Sequence, residues 1–186
     1  KLEESKEGLL KAAYQYRSEH DAPFRLYFTK RDPSNINLHV YEKDNPEIEI
    51  NILFRDYLRK SPDACVEYSS LKRELIAQDT SHKKNNVGVT GYNLGKNEFI
   101  KRILQITKFS GVYLRICQHD EEWARYHHIR IEQLFKPTKI IYDSQHPTIT
   151  VENQYHFVLY KGVQIVSVAQ IEILNIDEAA IRSLAT

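Results

Sequence analysis

A glycine-containing segment ahead of a helix is the first part of this sequence whose residue types suggest chemistry. Gly91 and Gly95 precede Lys96, and proteins build phosphate-binding loops from glycine backbone N–H groups and a lysine. The glycine spacing is one residue shorter than in a P-loop, and no serine or threonine follows the lysine. We therefore favour an ordinary loop that enters a helix.

A second group of polar side chains lies in a segment with helical character. Helical geometry brings both Tyr126 and His127 beside Arg130, and Gln133 follows one turn later. Together they could line a pocket for a polar substrate.

Metal binding is the alternative use of the histidines in this region. The possible ligands are Cys117, His119, His127 and His128. Their spacing matches no standard zinc site, because adjacent histidines point to different sides of a helix. We therefore predict no metal site.

The elements that must position these groups alternate between helices and strands. The first half predicts a helix over 2–16, strands over 24–29 and 37–42, and helices over 50–60 and 62–78. Ser61 and Pro62 mark the start of the last helix, because serine caps helices and proline suits the first helical position. Residues 79–91 are polar and predict a mobile loop.

The second half of the sequence has mainly β character. It predicts a strand over 111–116, a helix over 121–135 capped by Asp120, a hairpin with arms at 155–160 and 163–174 around Lys161-Gly162, and a last segment at 181–186. Alternation in the second arm places Ile165 and Ile171 on one face of the sheet. It places Val168 and Gln170 on the other face.

The first half also resembles the GrpB family. The matching elements occur in order: Arg25-x-x-Phe28-x-Lys30, Leu38-His39-Val40, Phe54-Arg55-Asp56-Tyr57-Leu58-Arg59, Pro62, Tyr68-x-x-Leu71-Lys72-x-x-Leu75, Gly95-Lys96 and Phe99-Ile100. The resemblance implies a nucleotidyltransferase-like fold in which His39, Arg55 and Lys96 could face a phosphate-bearing ligand. An N-cap contact or a surface ion pair is the alternative role for Arg55. The Gly-Ser turn and paired carboxylates of that superfamily do not occur ahead of Leu38. We therefore expect only the C-terminal portion of such a unit, and no nucleotidyl transfer by this chain alone.

The second half resembles the N-terminal half of a GNAT acetyltransferase. A strand precedes a helix that reads Glu-Glu-Trp-x-x-Tyr-His-x-Ile-Arg over 121–130, and the hairpin and a final strand follow. The resemblance implies acetyl-CoA as cofactor, with its pyrophosphate on a Gly-rich turn after the last strand. The sequence stops at Thr186, where that turn is expected, so we expect weak or no activity from the chain as given.

This second resemblance also implies residue roles. Acetyl transfer to an amine needs a base, and Glu172 is the candidate, although a glutamate on an exposed face is the alternative. The other implied contacts are the backbone of Leu184, Ala185 and Thr186 with the pantetheine arm, and the side chains of Tyr126, His127 and Arg130 with the acceptor.

Composition narrows the function classes. The 186 residues carry 26 Lys and Arg against 25 Asp and Glu, for a formal charge of +1, which disfavours a nucleic-acid partner. No apolar run is long enough for a membrane span, and no signal-peptide pattern occurs, so we predict no membrane partner and a cytoplasmic location. Cys65 and Cys117 form no disulfide framework and are predicted to be reduced.

These observations predict an α+β chain: a partial nucleotidyltransferase-like unit over 1–108, then a partial GNAT-like antiparallel sheet with helices over 109–186. The predicted function is acetyl transfer from acetyl-CoA to a small-molecule or amine acceptor, by part of a bifunctional GrpB–GNAT protein. The alternative is a non-catalytic module that binds a nucleotide-like ligand or a partner. A sheet edge left open after Thr186 would favour a homodimer.

Overall fold

The chain folds into two antiparallel sheets with helices packed between and against them. The computed structural model describes residues 2–17, 25–78 and 90–186. The first sheet has the order β1-β2-β3 and the second β4-β5-β6-β7. The predicted α+β class is confirmed.

The first sheet contains one strand that the sequence did not predict. Helix α1 (Leu2–Lys11) ends earlier than predicted, because Ala13 adopts a positive φ of 64° that a helix cannot continue through. Strand β1 (Gln15–Tyr16) then pairs with β2 (Arg25–Lys30), which pairs in turn with β3 (Ile36–Tyr41). Phe28 at the centre of this sheet is fully buried. The predicted start of β2 at residue 24 lies outside the described residues.

Two long helices follow the first sheet and pack on each other. Helix α2 (Pro46–Lys60) begins before the predicted residue 50, because Asn45 accepts a hydrogen bond from the Glu47 N–H and caps it. The predicted cap of α3 (Pro62–Ala77) is confirmed, with Ser61 Oγ accepting from the Ala64 N–H. Residues 79–89 of the predicted loop lie outside the described residues.

The glycine-containing segment is partly helical. A short helix α4 (Gly91–Leu94) comes first, and α5 (Asn97–Ile106) follows after Gly95 and Lys96. Phe99 and Ile103 of α5 form a core cluster with Ala64, and aromatic side chains of α2 and α3 surround it.

The second sheet carries one long helix on one face. Strands β4 (Val112–Ile116), β5 (Gln154–Lys161), β6 (Gln164–Ile173) and β7 (Ala179–Ala185) pair in sequence order. Helix α6 (Asp120–Arg130) begins one residue earlier than predicted, and His119 rather than Asp120 is its cap residue. A π-helical turn (Ile131–Phe135), α7 (Lys136–Thr138) and a 3₁₀ turn (Pro147–Ile149) lead to β5.

The predicted alternation in β6 is wrong because the strand contains a bulge. Tyr160 pairs with Ile165 while Leu159 pairs with Ser167, so an extra residue interrupts the alternation. Val168 and Gln170 therefore return to the face that Ile165 occupies, and all three are buried. This face packs against Tyr126 of α6.

The two halves share a core rather than standing apart. Ile50 and Leu104 from the first half pack with Phe109, and Tyr113 and Val163 from the second half contact the same cluster. The predicted turn at Gly162 is confirmed, and its φ of +61° favours glycine. None of the helices in the described part of the chain is long and apolar enough to cross a membrane. Cys65 and Cys117 are both free.

Candidate functional site

A cavity of about 650 Å³ lies where the first sheet, the α4–α5 segment and the second half meet. Its basic lining residues are Arg25, His39, Lys96, Lys101, Arg115 and His119. Its aromatic lining residues are Tyr27, Tyr41, Tyr92, Tyr113 and Tyr160. The acids on its wall are Glu47 and Glu122, so cationic and aromatic groups dominate the lining.

Lys96 is the lysine that the sequence singled out, and it lies on the wall of this cavity. Its Nζ donates to Asn93 Oδ1 at 2.9 Å and lies 4.1 Å from the ring centre of Tyr92. Burial lowers the pKa of Lys96 below its ordinary value, and the nearby charge of Lys72 lowers that pKa further. The ammonium is thus held by neutral partners in a partly desolvated place, where an anion would bind it favourably.

His39 lies on β3 and also lines the cavity. It is the cross-strand partner of Tyr27, and the two rings stack with their centres 4.9 Å apart. The Tyr27 hydroxyl donates to Asn37 Oδ1 at 3.0 Å. The stacked pair gives the cavity an aromatic surface beside its cations.

The second half of the chain contributes a pair of tyrosines and a buried carboxylate to the cavity wall. The rings of Tyr113 and Tyr160 are nearly parallel, with centres 4.8 Å apart. The Tyr160 hydroxyl donates to Glu122 Oε1 at 2.8 Å, and Glu122 Oε2 accepts from the backbone N–H groups of Gln118 and His119. Both carboxylate oxygens of Glu122 therefore already accept hydrogen bonds, and the residue holds the start of α6 against β5.

Two further cations that line the cavity, Arg115 and Lys101, already have carboxylate partners. Arg115 Nη2 forms an ion pair with buried Glu47 Oε1 at 2.5 Å, which joins β4 to α2. Lys101 Nζ contacts Glu121 and also lies 3.7 Å from Glu98. These pairs leave Lys96 as a cation with no carboxylate contact in the described part of the chain.

Arg55 does not join this site. It lies on an exposed face of α2, where Nε donates to Asp56 Oδ1 at 2.8 Å and holds the pKa of that carboxyl below its ordinary value. The structure thus brings His39 and Lys96 to one cavity and leaves Arg55 outside it. Arg115 joins the cavity without a sequence signal, because its position depends on how the two halves pack.

The side chains predicted to line an acceptor pocket are mostly buried. Arg130 Nη1 donates to the Tyr126 hydroxyl at 2.9 Å, and that hydroxyl lies 2.8 Å from His156 Nδ1. His127 instead bonds the Tyr142 hydroxyl at 2.6 Å. Gln133 is exposed.

The predicted base lies on β6, an inner strand of the second sheet, and the predicted cofactor contacts lie at the end of β7, its edge strand. Glu172 Oε2 forms an ion pair with Arg182 Nε at 2.5 Å, so its carboxylate already has a cationic partner. Leu184 is exposed and Ala185 buried at the end of β7, and Thr186 follows. β7 pairs with β6 on one side, and no strand of the described residues pairs with its other edge. The roles of these four residues stay predictions.

Metal ligands do not cluster in the described part of the chain. No group of three or more His, Cys, Asp or Glu side chains there could hold a metal ion. Cys117 lies in the core of the second half, and burial raises the pKa of its thiol.

Comparison with known proteins gives one family and one curated relative. The model of the family described as GrpB protein matches residues 1–106. The UPF0157 protein YqkA of Bacillus subtilis (strain 168) is 38% identical over 89 residues, which are 47% of this chain. The match spans only 24% of that relative's own length. No solved structure matches.

Proposed function

Because this chain belongs to the GrpB family, we propose from its geometry that it binds a phosphate-bearing, nucleotide-like ligand in the central cavity. One observation carries the proposal. His39 and Lys96, which lie far apart in the sequence, line the same cavity together with further cations and tyrosines.

The size and the lining of the cavity both suit such a ligand. Small-molecule sites usually enclose about 300–1,000 Å³, and this cavity holds about 650 Å³. Lysine and arginine are the usual partners of phosphate, and aromatic rings stack on bases. A nucleotide would therefore find both of its recognition elements here.

Charge compensation indicates where the phosphate would bind. Arg115 and Lys101 already have carboxylate partners, whereas Lys96 contacts an amide oxygen and a ring. A phosphate at Lys96 would gain a charge-assisted hydrogen bond without breaking an existing ion pair. The tyrosine rings that line the cavity would then contact the base.

Calorimetric titration of the full chain with ATP, AMP and adenosine, with and without Mg²⁺, tests this proposal. A charge-assisted hydrogen bond contributes about 1.5–3 kcal/mol, so Lys96→Met should weaken ATP binding about tenfold to a hundredfold. Adenosine should bind more weakly than AMP. Lys161→Met removes the same charge from an exposed position on β5 and should change the affinity less than about twofold.

Two results would count against the proposal. If ATP at about 1 mM does not bind, its dissociation constant is larger than that of a specific site. Equal losses in Lys96→Met and Lys161→Met would indicate non-specific attraction rather than the cavity.

Acetyl transfer is the second candidate function, and a different observation favours it. Four antiparallel strands in sequence order, with α6 between β4 and β5, agree with the order expected for the N-terminal half of a GNAT domain. The edge of β7 that no strand of the described residues pairs with would offer backbone groups to a pantetheine arm. Acetyl-CoA would supply the thioester, and an acceptor amine would displace the CoA thiolate while losing a proton to a base.

Release of free CoA thiol from acetyl-CoA, measured with a panel of small amines, tests this second function. Amine-dependent release that Glu172→Gln lowers would support Glu172 as the base, whereas Glu178→Gln, at an exposed glutamate, should leave the rate unchanged. An absence of amine-dependent release would reject acetyl transfer by this chain.

A further inference from the structure

Arg130 is a buried cation that lacks a carboxylate partner. Its side chain lies at the end of α6 and the residue is only 8% exposed. Nη1 contacts the Tyr126 hydroxyl, Gln170 Oε1 and Ser183 Oγ, which are all neutral groups. Nε is buried and has no hydrogen-bond partner. No carboxylate of the described residues forms an ion pair with this guanidinium.

This arrangement is costly unless something else balances the charge. A guanidinium stays protonated in proteins, so it cannot escape burial by losing its proton. Buried charges are normally paired, and an unpaired one costs several kcal/mol. The hydroxyls and the amide that contact Nη1 satisfy hydrogen bonds but supply no negative charge.

The positive charge of Arg130 affects the two histidines near it. Burial lowers the pKa of both His127 and His156, and the positive charge of Arg130 lowers each pKa further. Both imidazoles are therefore held neutral beside the guanidinium. Burial also raises the pKa of Tyr126, whose hydroxyl contacts the guanidinium, so none of these three groups supplies the missing negative charge.

The backbone around Arg130 is also unusual. The π-helical turn Ile131–Phe135 begins directly after it, and such turns are frequent at functional sites. On the sheet side, Ser183 lies next to a bulge between β6 and β7. Three rings surround the guanidinium carbon, with centres 5.2 Å away for Tyr126, 5.7 Å for Phe135 and 5.8 Å for Tyr142.

We propose that Arg130 is the anchor of a second anion site that binds a small carboxylate through its Nε edge. The site is separate from the central cavity and does not depend on the proposed nucleotide binding. The hydrogen bonds to Tyr126, Gln170 and Ser183 all use Nη1, and the Tyr142 hydroxyl also lies beside the guanidinium. Nε has no partner, so a carboxylate would bind at the edge that carries Nε. One carboxylate balances the one guanidinium charge, whereas a phosphate carries about −1.5 to −2 at neutral pH.

The direct test follows the Nε–Hε signal of Arg130 by NMR while sodium acetate is added to the full chain. Arg130→Lys identifies the signal by its loss. We expect a saturable shift with acetate that sodium chloride at equal ionic strength does not produce. An absence of any shift below about 100 mM, or an equal shift with chloride, would overturn the proposal. A response to phosphate but not to acetate would overturn the carboxylate assignment.

A stability measurement gives an independent readout. Acetate should raise the melting temperature of the wild type, because a ligand that binds only the folded state stabilises it. Arg130→Lys keeps the charge but loses the bidentate edge, so its acetate affinity should fall at least about tenfold. Arg55→Lys, at an exposed arginine, and Lys96→Met, in the central cavity, should both keep the wild-type response. Loss of the response in Lys96→Met instead would assign the effect to the cavity.

Discussion

Tyr160→Phe isolates the hydrogen bond that supports the start of α6. The hydroxyl of Tyr160 donates to Glu122 Oε1 at 2.8 Å, and both residues are buried. Burial and the neighbouring carboxylate raise the pKa of Tyr160, so the hydroxyl stays protonated and remains a donor at neutral pH. The substitution removes this donor and keeps the ring that stacks on Tyr113.

The magnitude follows from the charge on the acceptor. A hydrogen bond to a charged group contributes about 1.5–3 kcal/mol, and a buried acceptor left without its donor loses that amount. Glu122 keeps two backbone donors, from Gln118 and His119, so the loss should not exceed this range. The free energy of unfolding should therefore fall by about 1.5–3 kcal/mol. For a chain of this length the melting temperature should fall by about 2–4 °C per kcal/mol.

Urea unfolding followed by circular dichroism measures this change, with Tyr155→Phe as the matched control. Tyr155 lies on the same strand and is 40% exposed, so losing its hydroxyl should change stability by less than about 0.5 kcal/mol. Coincident transitions by fluorescence and circular dichroism would justify the two-state treatment. If Tyr160→Phe and Tyr155→Phe unfold at the same urea concentration, the buried hydrogen bond does not stabilise this fold and the reasoning fails.

Two further perturbations test buried charges in the same way. Glu47→Gln leaves half-buried Arg115 without its ion-pair partner and should cost at most about 3–5 kcal/mol of unfolding free energy. Glu49→Gln on the same helix should be nearly neutral, and equal effects of the two substitutions in urea unfolding would contradict the role of the pair. Burial lowers the pKa of His156, so the unfolded state binds more protons as pH falls below about 6.5, and stability should decrease on acidification. His156→Asn should make the loss of stability on acidification shallower, while His128→Asn, at an exposed position, should leave it unchanged. If both variants show the same dependence of stability on pH as the wild type, His156 is not the group responsible.

Local chemistry in the sequence predicted the helix starts well. Ser61 and Pro62 mark the start of α3 because a cap and a first-position proline act through neighbouring atoms. The first strand was missed for the complementary reason. Gln15 and Tyr16 are extended only because β2 offers them a pairing edge, and without that edge their sequence continues a helical pattern.

Side-chain facing in β6 required information that the sequence does not contain. Strict alternation would place Val168 and Ile165 on different faces of the sheet. The bulge instead places both on the face that α6 covers. A bulge forms where two strands must match their twist and register, so no single-strand pattern reveals it. The candidate site shows the same limit. His39 and Lys96 follow from the family resemblance, but Arg115 reaches the cavity only through the packing of the two halves.

The presence or absence of a carboxylate partner indicates which cations of this chain could bind a ligand better than their sequence positions do. Arg55 matches a family motif, yet it already forms an ion pair with Asp56 on the exposed surface. Lys96 and Arg130 belong to different halves, and both are desolvated cations held by neutral groups. A fold that retains such cations gives up stability at each of them, since an apolar side chain of similar shape would avoid the desolvation cost. An anion bound at either position would offset that loss, which is why Lys96 and Arg130 carry the ligand-binding proposals and the motif residue Arg55 does not.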